Sequence, residues 1–443
     1  MAQFYSPNRR TTSRRQITVI AESLDAAGQG VARVDGKTIF VAGLLPNEEA
    51  QIELTEDKRH FAKAKVIRRL STNPQRVKPR CGYFEQCGGC QQQHVDIELQ
   101  RESKALALQY VMLRETGVDK PATPVISGES YGYRRRARLG LQYHSKSHRL
   151  VMGFRKTQSN TLVDIKHCPV LSPDLDILLE PLSQCLNQLS IAAKLGHVEL
   201  IYADNCKVVL IRHLAPLLSS DKQKLIDFEN QHGVSIWLAG NDENLHTLTE
   251  TSPLPEYQVA GERLRFNPSN FIQVNAQVNQ QMVEQALAWL DINSEDRVLD
   301  LFCGMGNFTL PIARLAKYVV GVEGVENLVE QARNNAQLNT IYNVAFYNEN
   351  LEAQIHTQPW AAQGFNKVLL DPARAGAAGV MEHLIKLMPE KIVYVSCNPT
   401  TLARDSKVLL GGGYQLLHLR MLDMFPHTSH LESMALFIRR PEV

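Results

Sequence analysis

The stretch from Arg297 to Glu323 places the tightest limit on how this chain can fold. An apolar run ending at Phe302 leads into a turn with glycines at 304 and 306, and a second apolar run, Tyr318-Val-Val-Gly-Val-Glu323, follows a helical segment. Apolar strands that alternate with helices are typical of a parallel sheet covered on both faces. The glycines let a ligand approach the backbone where a Cβ atom would clash. The pattern predicts an α/β domain that binds a ligand at the carboxyl edge of its sheet.

The glycine turn has the spacing D-x-x-x-G-x-G, beginning at Asp300, and so differs from the dinucleotide-binding G-x-G-x-x-G. Glu323 ends the next strand, where a carboxylate is suited to accept hydrogen bonds from ribose hydroxyls. This order of strand, glycine turn, helix, strand and acid resembles the S-adenosylmethionine-dependent methyltransferases. The resemblance implies a Rossmann-like catalytic domain in which Cys303 is only a residue of the turn.

A cysteine ends a later strand of the same domain. The apolar run Lys391-Ile-Val-Tyr-Val-Ser stops at Cys397, and Pro399 keeps the strand from continuing. Taken alone, such a cysteine is more often a small core residue than a nucleophile. Two neighbouring motifs favour the nucleophile: Asp371-Pro-Ala-Arg374 follows another strand, and His430-Leu-Glu432 brings a carboxylate to the entrance of the last one. The H-x-E motif also occurs in zinc deaminases, but the P-C-x-x-C that accompanies it there is missing here.

Three further cysteines lie within ten residues, in Cys81-Gly-Tyr-Phe-Glu-Gln-Cys87-Gly-Gly-Cys90. A triplet of this kind needs a distant fourth ligand, and Cys168, which precedes a proline, offers one. We therefore predict a [4Fe–4S] cluster at Cys81, Cys87, Cys90 and Cys168. Zinc is the alternative, with His94 or His167 as a replacement ligand.

The first part of the chain is basic. Residues 1–80 hold 15 Lys and Arg against 8 Asp and Glu, although the whole chain has a net charge of only +2, and such a distribution favours a nucleic-acid partner. From residue 16 to residue 70, short alternating strands broken by Gly, Asp-Gly and Pro-Asn predict a small β-barrel of the oligonucleotide-binding kind. Gly28-Gln-Gly30, Asp35-Gly36 and Val41-Ala-Gly43-Leu-Leu-Pro46 resemble a TRAM domain, which implies RNA binding.

A second basic segment lies between residues 130 and 163, with eight Lys or Arg and no acid, and with tyrosines interleaved. Such a strand can meet phosphates and stack bases, or it can simply be a solvated basic strand. Helices are predicted over 91–117, 171–195 and, after Asn275 as N-cap, 276–290.

The segments give four parts. A basic flexible arm (1–15) precedes the TRAM barrel (16–72), and a central α+β domain with the iron–sulfur site (73–266) precedes the methyltransferase domain (267–443); the helical segment 94–117 is able to pack on that last domain. No signal peptide or membrane-length apolar run is visible, so we expect a cytoplasmic protein. We also expect a monomer that binds no DNA.

The motifs at Cys397, Glu432 and Asp371 together resemble the RNA uracil carbon-5 methyltransferases along the whole chain. The resemblance makes Cys397 the nucleophile that adds to carbon 6 of uracil and Glu432 the base that removes the carbon-5 proton. The TRAM domain and the four cysteines point to the members that modify 23S rRNA, at uracil 1939, since the related tRNA enzyme lacks both. The residues that the resemblance assigns to S-adenosylmethionine are Gln273, Phe302, Asn307, Glu323, Asn350 and Asp371.

Two other functions fit the same residues. One is the same reaction on a different rRNA or tRNA uridine. The other is a redox-responsive RNA-binding protein whose methyltransferase fold is inactive. Transfer of a labelled methyl group to RNA distinguishes the second from the first.

Overall fold

A computed structural model describes residues 16–240, 244–250, 252–351 and 355–441. The predicted basic arm, residues 1–15, lies outside the described residues. The described chain divides into two compact units. The first takes in the residues up to Pro79 together with Cys90–Ala107 and His427–His430, and the second takes in Arg80–Gly89, Leu108–Pro426 and the residues from Leu431 on.

The first unit is built on a sheet in which six described strands follow the order β1-β5-β6-β4-β3-β2. Asp35 and Gly36 form its tightest hairpin, with φ of 50° and 77°, as the Asp-Gly pair predicts. The alternating pattern predicts one strand from Gln16 to Leu24, but this segment forms two strands, because its first half pairs with β5 and its second half with β3. The strands are β1 (Gln16–Ile20), β2 (Ser23–Leu24), β3 (Gly30–Val34), β4 (Lys37–Ala42), β5 (Glu49–Asp57) and β6 (Phe61–Arg69).

A buried carboxylate joins this sheet to the chain that follows it. Glu48 is fully buried and accepts hydrogen bonds from the backbone N–H groups of Leu45 (2.8 Å) and Asn73 (3.1 Å). Arg76 completes the site by donating to both carboxylate oxygens, at 2.7 and 2.6 Å. Burial alone would raise the pKa of Glu48, but Arg76 and the backbone donors hold this pKa below its ordinary value.

Helix α1 (Ile97–Thr116) begins later than the predicted start at residue 91. Residues 91–96 are not helical because their backbone N–H groups have other acceptors: Gln91 and Gln92 donate to the His427 carbonyl, and Asp96 donates to Gln75. The predicted end is confirmed, since Gly117 stops the helix with φ of 74°.

The second unit contains a mixed sheet whose described strands follow the order β13-β12-β11-β10-β7-β8-β9. The predicted helix 171–195 is wrong, because this segment forms α2 (Pro173–Asp176), α3 (Leu179–Asn187) and a 3-10 turn (Ala192–Lys194). The other elements of this part are β7 (Arg136–His144), β8 (Arg149–Arg155), β9 (Leu162–Asp164), β10 (Leu195–Tyr202), β11 (Lys207–His213), α4 (Ser219–His232), β12 (Ser235–Ala239), β13 (Leu245–Thr247) and the hairpin β14 (Glu256–Val259) and β15 (Glu262–Arg265).

The same unit ends in a sheet with the order β18-β17-β16-β19-β20-β22-β21. The first five strands are parallel, β22 runs antiparallel to them, and β21 is antiparallel to β22. Its central strands β16, β19 and β20 are mostly apolar and almost entirely buried, as expected for a parallel sheet covered by helices. The strands of this sheet are β16 (Arg297–Leu301), β17 (Tyr318–Glu323), β18 (Val344–Asn348), β19 (Lys367–Leu370), β20 (Lys391–Ser396), β21 (Tyr414–Leu422) and β22 (Glu432–Arg439).

The helices of this last part connect the strands of the sheet. Helix α5 (Ala276–Leu290) has the predicted bounds, and the Asn275 side chain accepts the N–H of Val278 as its N-cap. The others are α6 (Thr309–Ala313), α7 (Glu326–Leu338), α8 (Ala378–Leu387) and α9 (Pro399–Gly411), with 3-10 turns at Ile355–Thr357 and Pro359–Gln363. None of the described helices combines the length and apolar character needed to cross a bilayer.

Replacing Arg76 by methionine tests the contribution of the buried Glu48 site. Loss of the guanidinium leaves a buried carboxylate without its main partner, so we expect the free energy of unfolding to fall by about 3 kcal/mol at neutral pH. Because the folded pKa of Glu48 is lowered, the pair stabilises the fold above the ordinary carboxyl pKa of 4.5 and loses this effect as the pH falls through the folded value.

Urea denaturation at neutral and acid pH, with hydrogen exchange of the strand amides, measures this loss. The matched control is Arg33→Met, because Arg33 lies 3.8 Å from Glu22 with both side chains exposed, and its removal should cost less than about 1 kcal/mol. Equal losses in the two variants would contradict the assigned role of Arg76.

Candidate active site

The topology of the last sheet collects polar residues at one edge. Strands β16, β17, β19 and β20 are parallel, so the residues that follow them meet at the carboxyl edge of the sheet. Strand β22 runs antiparallel to β20, with Ser433 opposite Ser396. Its first residue, Glu432, therefore lies beside the end of β20, where Cys397 follows. The sheet alone explains why residues far apart in sequence form one site.

A cavity of about 440 Å³ opens at this edge. Every predicted catalytic and cofactor-binding residue except Asn350 lines it. Those residues are Gln273, Phe302, Asn307, Glu323, Asp371, Cys397 and Glu432. Asn350 instead lines an adjoining cavity of about 860 Å³, to which Phe302 and Glu323 also contribute.

The glycine turn after β16 is shaped to leave room for a ligand. Phe302 and Gly304 both have positive φ, 62° and 54°, and a Cβ atom added to Gly304 would meet no protein atom within 4 Å. Glu323 is held against this turn, because its carboxylate accepts the N–H of Gly304 at 3.1 Å and that of Val325 at 3.0 Å. The turn and the acid therefore form one rigid surface beside open space.

Asp300 supports the turn from beneath and was not assigned a role from the sequence. It is buried and accepts a hydrogen bond from the Thr309 hydroxyl at 2.5 Å. Burial raises the pKa of Asp300 to about 8, and the nearby charges of Asp371 and Glu323 act in the same direction.

The Asn307 side chain is engaged by two residues that no sequence motif indicates. Its carbonyl oxygen accepts hydrogen bonds from the Tyr257 hydroxyl (2.9 Å) and from the Asn279 amide (3.1 Å), and its own amide donates back to Asn279 at 3.0 Å. Tyr257 is buried and also lines the cavity. These contacts fix Asn307 and leave one side-chain N–H and its backbone for a ligand.

Burial sets the acid–base properties of the cavity. It raises the pKa of the Cys397 thiol, and the charges of Glu432 and Asp371 raise it further, whereas Arg374 lowers it. It also raises the pKa of Glu432 to about 8 and that of Asp371 to about 7. The arrangement places a thiol beside two carboxyl groups that can exchange protons near neutral pH.

The structure locates the predicted metal ligands without showing a metal site. Cys87 and Cys168 are buried and Cys81 and Cys90 are half-buried. Among the described residues, no group of three or more His, Cys, Asp or Glu side chains is arranged to hold a metal ion. Of the alternative zinc ligands, His94 is buried, which lowers its pKa to about 4, and exposed His167 contacts Asp176 at 2.5 Å.

The predicted basic strand divides into buried and exposed arginines. Arg135 is buried, donates to the Gln273 carbonyl at 2.9 Å and lies over the Tyr257 ring. Arg136 pairs with Glu199 at 2.7 Å. Arg138 and the basic residues of the β7–β8 hairpin remain exposed. Only the exposed group is available to meet a nucleic acid.

Comparisons with known proteins agree with this arrangement. The family model for tRNA (uracil-5-)-methyltransferase matches residues 96–440, and that for the TRAM domain matches residues 10–67. A Photorhabdus laumondii protein called 23S rRNA (uracil(1939)-C(5))-methyltransferase RlmD is 64% identical over 439 residues, covering 99% of this chain and 100% of that protein. A Yersinia enterocolitica protein of the same name is 59% identical over 443 residues, covering 100% of both chains.

Among solved structures, the Pyrococcus abyssi tRNA (uracil-54, C5)-methyltransferase in complex with S-adenosyl-L-homocysteine covers 95% of this chain and 99% of its own, with a TM-score of 0.74. At 24% identity this likeness concerns the fold alone. Fold and matches together define a methyltransferase with a Rossmann-like catalytic domain and an N-terminal TRAM domain. The chain belongs to the tRNA (uracil-5-)-methyltransferase family, whose members methylate carbon 5 of uracil in RNA.

The raised pKa of Glu432 predicts a pH-dependent stability. Its folded pKa of about 8 exceeds the ordinary 4.5, so the folded state keeps a proton that the unfolded chain releases. The contribution to stability is full below pH 4.5 and is lost as the pH rises through about 8. Glu432→Gln should therefore stabilise the protein by up to about 5 kcal/mol above pH 8 and change little near pH 4.5.

Urea denaturation across this pH range measures the difference. Glu284→Gln, at an exposed position on α5, is the matched control and should leave the wild-type pH dependence intact. If the free energy of unfolding of Glu432→Gln changed with pH in the same way as that of the wild type, the raised pKa of Glu432 would be contradicted.

Proposed function

We propose that this chain transfers a methyl group from S-adenosylmethionine to carbon 5 of a uridine in 23S rRNA, the one that its relatives' names number 1939. The observation that carries the proposal is the cavity in which Cys397 and Glu432 lie together with the glycine turn and Glu323. Relatives that are 64% and 59% identical over their full length, and a TRAM domain in front of the catalytic domain, support 23S rRNA as the substrate. We propose that the protein acts in the cytoplasm, and we expect a monomer that binds no DNA.

The residues present fit the proposed cofactor. S-adenosylmethionine supplies an electrophilic methyl group on a sulfonium. Gly304 leaves open space beside the turn, and the Glu323 carboxylate lines the same cavity, where it can accept hydrogen bonds from ribose hydroxyls. Gln273 lines the cavity, and its side-chain oxygen is buried without a hydrogen-bond partner among the described residues, so it can accept a hydrogen bond from a ligand. Phe302, Asn307, Asp371 and, in the adjoining cavity, Asn350 complete the proposed set.

The proposed chemistry requires both a thiol and a carboxylate. Carbon 5 of uracil is too weak a nucleophile to take a methyl group directly, so the Cys397 thiolate first adds to carbon 6. This addition shifts the electron pair of the carbon 5–carbon 6 double bond onto carbon 5 and the neighbouring carbonyl, which gives an enolate. Carbon 5 then bonds to the methyl group as the bond between that methyl group and the sulfonium breaks, and S-adenosylhomocysteine leaves. Glu432 removes the carbon-5 proton, the double bond re-forms and the bond between sulfur and carbon 6 breaks. The two carboxyl groups near Cys397 can also accept the thiol proton in the first step.

Variants at Cys397 and Glu432 test this assignment on 23S rRNA fragments with labelled S-adenosylmethionine. Cys397→Ala should lose turnover completely yet bind the cofactor with wild-type affinity by calorimetry, because the thiol acts on the base. Glu432→Gln should stall after methyl transfer and accumulate a protein–RNA adduct that survives a denaturing gel. Mapping the labelled nucleotide identifies the uridine.

Cys185→Ala is the matched control, since Cys185 lies on α3 outside the cavity, and it should keep full activity. Turnover by Cys397→Ala or Glu432→Gln would contradict their roles. If the labelled methyl group appeared in tRNA or at another rRNA position, the proposed substrate would be wrong but the proposed reaction would stand. A wild-type protein that binds RNA but transfers no methyl group would favour the RNA-binding alternative.

We also propose that Cys81, Cys87, Cys90 and Cys168 hold a [4Fe–4S] cluster. The spacing of the cysteines is the main support. Two contacts agree with it: a charge on Cys81 raises the pKa of the Cys87 thiol, so the two sulfurs lie near each other, and the Gly89 N–H donates to the Cys87 sulfur at 3.4 Å. Backbone donors of this kind favour thiolate ligands.

Anaerobic purification followed by iron and sulfide analysis tests the cluster. We expect about four irons and four sulfides per wild-type chain, and a loss of most of both in Cys168→Ala. Cys206→Ala is the control and should keep the wild-type content. A protein that contains stoichiometric zinc, or no metal, would contradict the proposal.

A further inference from the structure

The loop Asp371–Ala377 forms a wall of both cavities. Asp371, Pro372 and Ala373 line the smaller cavity, and Ala375, Gly376 and Ala377 line the larger one. The sheet holds only the beginning of the loop, where the Asp371 N–H donates to the Leu301 carbonyl at 3.3 Å. The rest needs another support before it can define a binding surface.

Helix α9 gives that support, and it begins two residues after Cys397. Asn398, its N-cap, donates a side-chain N–H to the Arg374 carbonyl at 3.1 Å. Six residues further along, Arg404 donates to the Ala375 carbonyl at 3.0 Å. The loop backbone is therefore fastened to the helix that follows the nucleophile.

Asp405 is the centre of these contacts. It is fully buried and accepts three hydrogen bonds, from the Ala377 N–H (2.8 Å), the Tyr394 hydroxyl (2.7 Å) and Arg404 Nε (2.8 Å). Gly376 fits this contact closely, because its φ is 75° and an added Cβ would come within 2.7 Å of Asp405 Oδ2. Tyr394 lies in β20 and is fully buried, so its hydrogen bond also ties the Asp405 carboxylate to the sheet.

We propose that Asp405 is a positioning residue, which Tyr394 and Arg404 hold so that it fixes the second half of the Asp371–Ala377 loop against helix α9. The inference rests on the proposed function and deepens it, since it explains how Arg374 is kept near the reacting thiol. Asp405 itself does not line either cavity.

The charges around Cys397 show why the position of this loop matters. Glu432 and Asp371 raise the pKa of Cys397, and Arg374 is the charge that lowers it. Arg374 also opposes the rise in the pKa of Glu432. The Asp371 backbone N–H is bonded to the sheet, whereas the Arg374 carbonyl accepts hydrogen bonds from the side chains of Asn398 and Thr401 at the start of α9. If the contacts that Asp405 makes with Ala377 and Arg404 are weakened, we therefore expect Arg374 to move away from Cys397 more than the two acids do. The pKa of the Cys397 thiol should then rise.

Asp405→Asn tests the proposal in the full chain. The amide can still accept from Tyr394 and Ala377, but it then presents N–H groups to Arg404, so the bond from Arg404 is lost. We expect the pH midpoint for iodoacetamide alkylation of Cys397, followed by mass spectrometry of its peptide, to rise by about half a pH unit. We also expect the dissociation constant for S-adenosylmethionine to rise about fivefold, because Ala375–Ala377 line the larger cavity.

Asp221→Asn is the matched control for destabilisation. Asp221 is equally buried and accepts the N–H and hydroxyl of Ser190, outside both cavities. The Asp221→Asn substitution should lower the melting temperature to a similar extent but leave the alkylation midpoint of Cys397 and the affinity for S-adenosylmethionine unchanged. Tyr394→Phe removes one hydrogen bond to Asp405 and should shift the midpoint in the same direction by less, so it carries the test if Asp405→Asn does not fold.

An unchanged midpoint with unchanged cofactor affinity would overturn the proposal. A lower midpoint would also overturn it, because that is the effect expected from removing the Asp405 charge alone. Alkylation needs no RNA, so the outcome is separate from the proposed function. Failure of the wild type to methylate RNA would reject that function. An active wild type together with an unaffected Asp405→Asn variant would reject only the positioning role of Asp405.

Discussion

Loss of solvent around Cys397, Glu432 and Asp371 is the physical condition on which the rest of the site depends. Removing water raises the pKa of all three groups, and each ionised carboxylate makes ionisation of its neighbours harder. The cavity therefore favours neutral groups until positive charge enters it. A sulfonium cofactor is a ligand of that kind, so binding it would also favour the thiolate on which the proposed chemistry depends.

The same condition requires an accurate scaffold, because electrostatic effects in a desolvated site change steeply with distance. The parallel sheet brings four strand ends to one edge, and the antiparallel β22 adds Glu432 to the same edge. Buried polar contacts then fix what the sheet leaves free. Asp300 supports the glycine turn, Tyr257 and Asn279 hold Asn307, and Asp405 fastens the loop that carries Arg374.

Much of this arrangement could be predicted from local sequence. Strands β17 and β20 and helix α5 have the predicted bounds, because unbroken apolar runs and an Asn cap determine them almost without tertiary context. Residues at the ends of those strands could then be placed in one cavity. The prediction of one helix over 171–195 was wrong, because an apolar pattern does not show where a helix is interrupted, and this segment forms two short helices and a 3-10 turn.

The supporting residues could not be predicted. Tyr257 and Asp405 are ordinary residues of a strand and a helix, and their roles depend on partners that the fold brings to them from distant parts of the chain. The basic strand shows the same limit: its charge favoured either RNA contact or a solvated surface, yet Arg135 is buried against Tyr257 and Gln273. Charge is visible in a sequence, but burial is decided by packing.

The central claim is that the sulfur of Cys397 bonds transiently to carbon 6 of the target uracil. A 23S rRNA fragment carrying 5-fluorouridine at that position tests it most directly, because fluorine cannot be removed as a proton and the ring cannot release the sulfur after methyl transfer. We predict a complex of wild-type protein and RNA that forms only with S-adenosylmethionine, survives denaturation and maps by mass spectrometry to the peptide with Cys397. Methyl transfer without an adduct, or an adduct at another cysteine, would contradict it.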